Sequence, residues 1–271
     1  MATCTIVVPC YNEAARLDVD AFRRFRPPNL SLRFLLVNDG STDDTASVLE
    51  FLRDLDPGQF IVHNLPANRG KAEAVRQGIL LAFQEGAEMV GYWDADLATP
   101  LEMIPEFCEM LSQDARLQIV TGARVKLLGR AIQRRPLRHY LGRVFATAAS
   151  AVLGVPMYDT QCGAKLFRAT PEIRAIFEQP FRTNWVFDVE LLARFLRNRK
   201  AERAEPAAGA IYELPLTEWR DVAGSKVKPQ DFFRAFFELA TIYWTCVRRR
   251  AARGAEAVPP QRPDAAQRHA A

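Results

Sequence analysis

Met89-Val90-Gly91-Tyr92-Trp93-Asp94-Ala95-Asp96-Leu97 is the stretch on which the fold of this 271-residue chain can be decided. Its apolar lead-in predicts a buried strand, and two carboxylates follow at the end of that strand. Residues two apart on an extended chain point the same way, so Asp94 and Asp96 can face one pocket. Paired hard oxygen donors suit Mg²⁺ or Mn²⁺, a cation that phosphate oxygens can share. The stretch therefore reads as a metal–diphosphate site, with a solvated loop as the plain alternative.

Three segments upstream have the same design. Thr5-Ile6-Val7-Val8-Pro9 is a β-branched run closed by proline, with a turn at Cys10-Tyr11-Asn12-Glu13 and helical spacing from there to about Phe25. Leu32 to Val37 predicts a second strand, ending in Asn38-Asp39-Gly40-Ser41-Thr42-Asp43-Asp44-Thr45. Asp39-Gly40 supplies the turn, and Thr42 or Asp43 the cap of a helix from about Asp44 to Leu52. Phe60 to Asn64 is a third strand, and Asn68-Arg69-Gly70-Lys71 opens a helix through Phe83. Strand–helix alternation repeated in this way predicts an open, mostly parallel α/β sheet, whose ligands bind beyond the carboxyl ends of its strands. Pro9, Tyr11, Glu13, Asp39, Lys71, Asp94 and Asp96 all fall at such ends, so they are expected to converge on one crevice.

Composition sets the bounds. Nearly half the residues are hydrophobic (49%), ample for a core, and a net charge of +4 implies no general affinity for nucleic acid. Cys4, Cys10, Cys108, Cys162 and Cys246 are odd in number and form no CxxC pair, which argues for reduced thiols rather than a disulfide framework or structural zinc. The N-terminus runs straight into a strand pattern, so no signal peptide is expected. The apolar run from Val144 to Met157 is shorter than the roughly 20 residues of a membrane-spanning helix. A cytosolic location without a transmembrane segment is the expectation.

Taken together, Val7 to Glu13, Val37 to Thr45, Asn68-Arg69-Gly70-Lys71 and Asp94-Ala95-Asp96 stand in the order and spacing of the family-2 inverting glycosyltransferases, which the chain resembles. Thr121-Gly122-Ala123-Arg124, Asp159 to Phe167, Trp185 to Leu192 and Gly224-Ser225-Lys226 are similar to the polyprenyl-phosphate branch, which includes the dolichyl-phosphate β-glucosyltransferases. The resemblance spans roughly residues 3 to 250. It implies a GT-A fold: a mixed, mostly parallel sheet flanked by helices, with a C-terminal amphipathic helix. Expected boundaries are 1–225 for this domain (1–98 the nucleotide-sugar half, 99–225 the acceptor half), 226–253 for the helix and 254–271 for a disordered tail.

The same resemblance assigns roles. Pro9, Tyr11 and Glu13 would line the base and ribose pocket, with Asp39 bonding base or ribose and Lys71 joining the nucleotide-sugar side. Asp94 would hold the sugar or ribose edge and reach the metal, Asp96 would ligate it directly, and the metal, Mg²⁺ or Mn²⁺, would bridge the diphosphate. Related mannosyltransferases place a third ligand two residues further on, where this chain has Ala98. The implied reaction is inverting transfer of a hexose, glucose from UDP-glucose in the first instance, to a polyprenyl phosphate. Mannosyl transfer from GDP-mannose, or transfer to a soluble or cell-wall saccharide, are the alternatives.

Joining two phosphate-bearing substrates calls for fixed cations, and arginine's planar fork suits phosphate oxygens. Arg124, Arg130, Arg134, Arg135, Arg138, Arg143, Lys165 and Lys226 are the supply. Arg124 and Arg138 match arginines of the family pattern, and with Lys226 they are the expected acceptor-phosphate ligands. Asp159 is the expected carboxylate near the acceptor, as base or as orienting group. Trp185, Asp188 and Glu190 fit a strand or helix beneath the sugar pocket. Cys10 and Cys162 read as buried and inert. Phe232, Phe233, Phe236, Phe237, Ala240, Tyr243, Trp244 and Val247 recur at helical spacing before Arg248-Arg249-Arg250 and Arg253. Such a helix can lie among anionic headgroups on the cytosolic membrane face, or pack on the domain's own core or a dimer partner.

Overall fold

The computed structural model describes residues 3–133, 136–201, 209–222 and 229–248, the side chains of 136–139 and 229–232 excepted. Arg134, Arg135, Lys226, Arg249, Arg250, Arg253, the 254–271 tail and the side chains of Arg138 and Phe232 therefore lie outside the described residues.

The first half follows the predicted alternation: β1 (Thr3–Cys10), α1 (Val19–Arg24), β2 (Ser31–Asn38), α2 (Thr45–Leu55), β3 (Phe60–Asn64), α3 (Lys71–Gln84) and β4 (Met89–Trp93). Three boundaries move. The helical spacing after β1 yields only the six residues of α1, because Glu13 to Asp18 is spent on a loop that faces the crevice. The helix near Asp44 starts at Thr45, without a cap bond from the Asp44 side chain, and runs on to Leu55. Asp43 does accept from the first helical amide, that of Thr45, at 3.0 Å, but its other oxygen turns to the Ala14 amide at 3.2 Å. Thr42 likewise turns away, its amide donating to Asn12 Oδ1 at 2.9 Å.

The second half contributes α4 (Ile104–Gln113), β5 (Ile119–Ala123), β6 (Ala131–Gln133), α5 (Pro136–Leu153), β7 (Ala164–Arg168), α6 (Pro171–Phe177), α7 (Phe187–Ala201), β8 (Ile211–Pro215), β9 (Glu218–Arg220) and α8 (Pro229–Ile242), which continues as a π-helical turn over Tyr243–Arg248. Seven strands form one sheet in the order β3-β2-β1-β4-β7-β5-β8, and β6 pairs with β9 in a small second sheet. The first four strands are mutually parallel, and β7 runs antiparallel between β4 and β5. This is the expected mixed, mostly parallel sheet. Two apolar layers, one on each face, bury it.

That insertion of β7 positions the chemistry. Because β7 runs against β4, its first residue, Ala164, pairs with Trp93 at the end of β4. The loop entering β7 therefore lies against the carboxylates leaving β4. Burial of Tyr92, Trp93, Leu166 and Phe167, each fully buried, fixes this register, since a one-residue slip would turn every side chain to the wrong face.

α8 is no loose appendage. Ala235, Leu239, Ile242 and Cys246 are buried in the core layer with α5 and α7. Its opposite face leaves Phe233, Phe236, Phe237, Trp244 and Val247 exposed. The two readings of this helix, packed and interfacial, thus fall on different faces.

Candidate active site

The loops beyond β1 and β2 are stitched together by short polar side chains. Asn12 adopts a left-handed backbone (φ 51), which asparagine tolerates better than most residues. Its amide donates to Ser41 Oγ at 3.1 Å, and the Glu13 amide to Thr45 Oγ1 at 2.8 Å. Asp39 is buried, and its carboxylate accepts from the Arg69 and Gly70 amides at 2.7 and 2.8 Å. Burial raises the Asp39 pKa, although these two amides oppose the shift. Gly40 allows the latch. It has φ +62, and a Cβ there would stand 2.4 Å from the backbone of Ala67 and Asn68. Held in this way, the loop aims the first residue of α3 across the crevice, where Lys71 Nζ meets Asp94 Oδ1 at 2.5 Å. Burial works to lower the Lys71 pKa, but Asp94, Asp188 and Asp96 outweigh it, so the ammonium stays charged.

The Asp94 amide donates to Gly163 O at 3.0 Å, and its carboxylate lies directly on Gly163 Cα. A Cβ at Gly163 would fall 1.9 Å from Asp94 Oδ2, so only glycine fits. Asp96 Oδ1 accepts from the Ala98 amide at 3.1 Å, while Arg16 stands 3.8 Å from Oδ2. Burial first, and the Asp94 charge second, raise the Asp96 pKa, while the Lys71 and Arg16 charges oppose the shift. Two carboxylates this close are an all-oxygen donor set of the kind that a hard divalent cation takes. Among the described residues no group of three His, Cys, Asp or Glu could hold a metal alone, so the rest of the coordination would come from diphosphate and water.

On the acceptor side, Arg124 and Asp159 form a two-pronged pair, Nε to Oδ2 at 2.5 Å and Nη2 to Oδ1 at 2.7 Å. The Arg124 amide also donates to Oδ2 at 3.1 Å. Asp159 is held from behind by Glu213 of β8, whose carboxylate accepts from the Tyr158 and Asp159 amides at 2.7 and 2.8 Å. Of the two expected roles for Asp159, this is the geometry of an orienting group. Arg124 also lies 5.3 Å from the centre of the Trp219 ring.

Lys165 requires correction. Instead of facing a phosphate it is fully buried, its Nζ donating to Asp188 Oδ1 at 2.6 Å and to Cys162 O at 2.8 Å. Tyr92 donates its hydroxyl to the same Asp188 oxygen. Lys165 falls in a strand that is buried on both faces, where a charged group survives only with a partner. Trp185 precedes α7 and Asp188 and Glu190 lie in its first turn, so that segment is helix rather than strand. Glu190 holds the Thr183 amide at 2.9 Å and pairs with Arg194. Cys10 and Cys162 are fully buried, and burial raises the Cys162 pKa to about 11, in keeping with inert thiols.

The loops beyond the strand ends enclose one cavity of about 510 Å³. Pro9, Tyr11, Glu13, Asp39, Lys71, Asp94, Asp96 and Arg124 line it, so eight predicted residues do converge. Arg16, Gly163 and Trp219, which carried no expectation, line it too. Gly142 and Phe145 of α5, Trp185, and Ala235 of α8 form an apolar wall.

Residues 5–174 match the family described as glycosyl transferase family 2. The chain belongs to glycosyltransferase family 2. It is 32% identical over 250 residues to a dolichyl-phosphate beta-glucosyltransferase of Trichomonas vaginalis, covering 88% of this chain and 70% of that protein. The human dolichyl-phosphate beta-glucosyltransferase is 31% identical, over 83% of this chain and 69% of its own length. Glucosyl-3-phosphoglycerate synthase from Mycobacterium tuberculosis, solved with Mn²⁺, UDP-glucose and phosphoglyceric acid, superposes with a TM-score of 0.58 at 18% identity, over 90% of this chain and 80% of that one. The last likeness establishes the GT-A-type fold. As a family-2 glycosyltransferase the chain is an enzyme of sugar transfer.

Proposed function

We propose that this family-2 glycosyltransferase transfers glucose from UDP-glucose, with a divalent cation and inversion at the anomeric carbon, to a polyprenyl phosphate at a membrane surface. The observation that carries the reading is the make-up of this cavity. Its lining combines one polar group, Asp39, Lys71, Asp94 and Asp96, with a second group, Arg124 and the apolar residues of α5 and α8. A nucleotide sugar fits the first and a lipid phosphate the second. The names of the relatives, dolichyl-phosphate beta-glucosyltransferases, support a glucosyl group and a lipid-phosphate acceptor.

In this reading the acceptor phosphate oxygen attacks the anomeric carbon as its bond to the diphosphate breaks, and UDP leaves. A phosphate monoester with a second pKa of about 6 is already ionised, so no strong base is required. Arg124, held by Asp159 and Glu213, orients the acceptor phosphate. Asp94 and Asp96 would hold the cation, Mg²⁺ or Mn²⁺, which when bound would stabilise charge on the leaving diphosphate. Lys71 fixes the Asp94 carboxylate. Arg138 and Lys226 are retained as candidate acceptor ligands from the family pattern. The exposed aromatic face of α8, with Arg248 over the Trp244 ring at 3.9 Å, is suited to a headgroup layer. Among the described residues no helix is long and apolar enough to cross a membrane.

The test is donor choice. Purified protein is given UDP-glucose and GDP-mannose in separate reactions with one short polyprenyl phosphate. A β-linked glucosyl lipid phosphate from the first alone is expected, whereas preference for GDP-mannose would replace the donor assignment.

A further inference from the structure

The helix with the exposed aromatic face is also bonded to the cavity wall. Glu238, in the middle of α8, has only 14% of its side chain exposed. Its Oε2 accepts from the Trp185 amide at 2.9 Å and the Val186 amide at 3.0 Å, and its Oε1 pairs with Arg234 at 2.9 Å. The Val186 carbonyl in turn accepts from the Val189 amide at 2.9 Å and the Glu190 amide at 3.2 Å, so the Glu238 carboxylate sits at the start of α7. A negative charge there satisfies amides that the helix itself leaves unpaired.

The stretch held in this way carries Asn184, Trp185, Phe187 and Asp188, all of which line the cavity. Ala235, three residues before Glu238, lines it as well, and Phe236 meets the ring of Phe145 at 5.9 Å. An i,i+4 pair with Arg234 alone would be an ordinary exposed ion pair of little consequence. A charge-assisted bond to two amides of the cavity wall is different, because it ties the position of one element to the shape of another.

We propose that Glu238 is a positioning residue for the lipid acceptor: it locks the seating of α8 to the Trp185 side of the cavity. The helix whose outer face meets the headgroup layer thereby also sets the wall along which the acceptor phosphate enters. This rests on the lipid-acceptor reading above, and the experiment separates the two. Glu238→Ala removes the bond. Glu238→Gln keeps an oxygen that can accept from both amides, and Glu238→Asp keeps the charge but withdraws it by one methylene.

KM for polyprenyl phosphate and for UDP-glucose, the affinity for UDP, and the melting temperature are measured on the full chain and each variant. Glu238→Ala is expected to raise the acceptor KM about tenfold, the scale of one lost charged hydrogen bond. Donor KM and UDP affinity stay within about twofold, and Glu238→Gln recovers most of the loss. Glu238→Asp shows the same selective rise should the alanine variant not fold. An unchanged acceptor KM, or equal rises for donor and acceptor, overturns the proposal. Absence of any transfer to polyprenyl phosphate by the unaltered protein instead overturns the lipid-acceptor reading and the proposal with it.

Discussion

Gly163 and Asp94 show how one residue's missing side chain sets another's position. The Asp94 carboxylate occupies the place where a Cβ of Gly163 would be, so it can meet Lys71 only while residue 163 is glycine. Gly163→Ala should push the carboxylate away, cut turnover at least tenfold and change the melting temperature by a few degrees at most, because the added methyl meets the movable Asp94 side chain rather than packed apolar atoms. Turnover assays beside thermal melts check this; an alanine variant of normal turnover would show that Asp94 need not lie where it does. At this scale the sequence was legible where chemistry is local. Asp94, Asp96, Asp39 and Lys71 announce themselves by standing at strand ends. Glu213, Glu238 and Gly163 do not, because each acts on a partner far away in the chain, which strand and helix spacing cannot supply. Lys165 misled for the same reason: its partner Asp188 lies 23 residues on, in another element.

Among the elements, α3 serves two purposes within its first two turns. Its start presents Lys71 to the cavity, and two residues on Glu73 pairs with Arg76 at 2.7 Å. Arg76 also bonds the Phe177 and Glu178 carbonyls at 3.1 and 3.3 Å, fastening α3 to the end of α6. The hydrogen bond from Arg76 lowers the Glu73 pKa below its ordinary 4.5. A carboxylate whose pKa is depressed on folding contributes stability above its unfolded value and loses it as pH falls through the folded one. The melting temperature should therefore fall as pH drops from about 5 to 3, and Glu73→Gln should flatten that part of the profile; an unchanged profile would remove Glu73 from the account. α8 supplies the other test. Phe233 and Phe237 are 74% and 76% exposed, so changing both to Asp should leave the melt unaltered while reducing sedimentation with anionic vesicles. Undiminished sedimentation would return the helix to a purely packing role. Its periodicity was plain in the sequence, but a stripe of aromatics does not say which of its faces the core will take.

For the whole molecule, the sheet order explains why a parallel α/β half and an irregular second half make one cavity. Four parallel strands bring their loops to one edge, and antiparallel β7 returns the chain to that edge with Gly163 at its tip. The parallel half could be read from alternating strands and helices. The insertion of β7 between β4 and β5 could not, because long-range pairing leaves no periodic mark on either strand. The central claim is that one metal-dependent cavity joins a nucleotide sugar to a lipid phosphate. The most direct measurement is transfer of labelled glucose from UDP-glucose to a short polyprenyl phosphate, with and without EDTA, by the unaltered protein and by Asp96→Ala. An organic-extractable product that EDTA abolishes and Asp96→Ala fails to make is the predicted result. Nucleotide release with no lipid product, or undiminished product from Asp96→Ala, would contradict it.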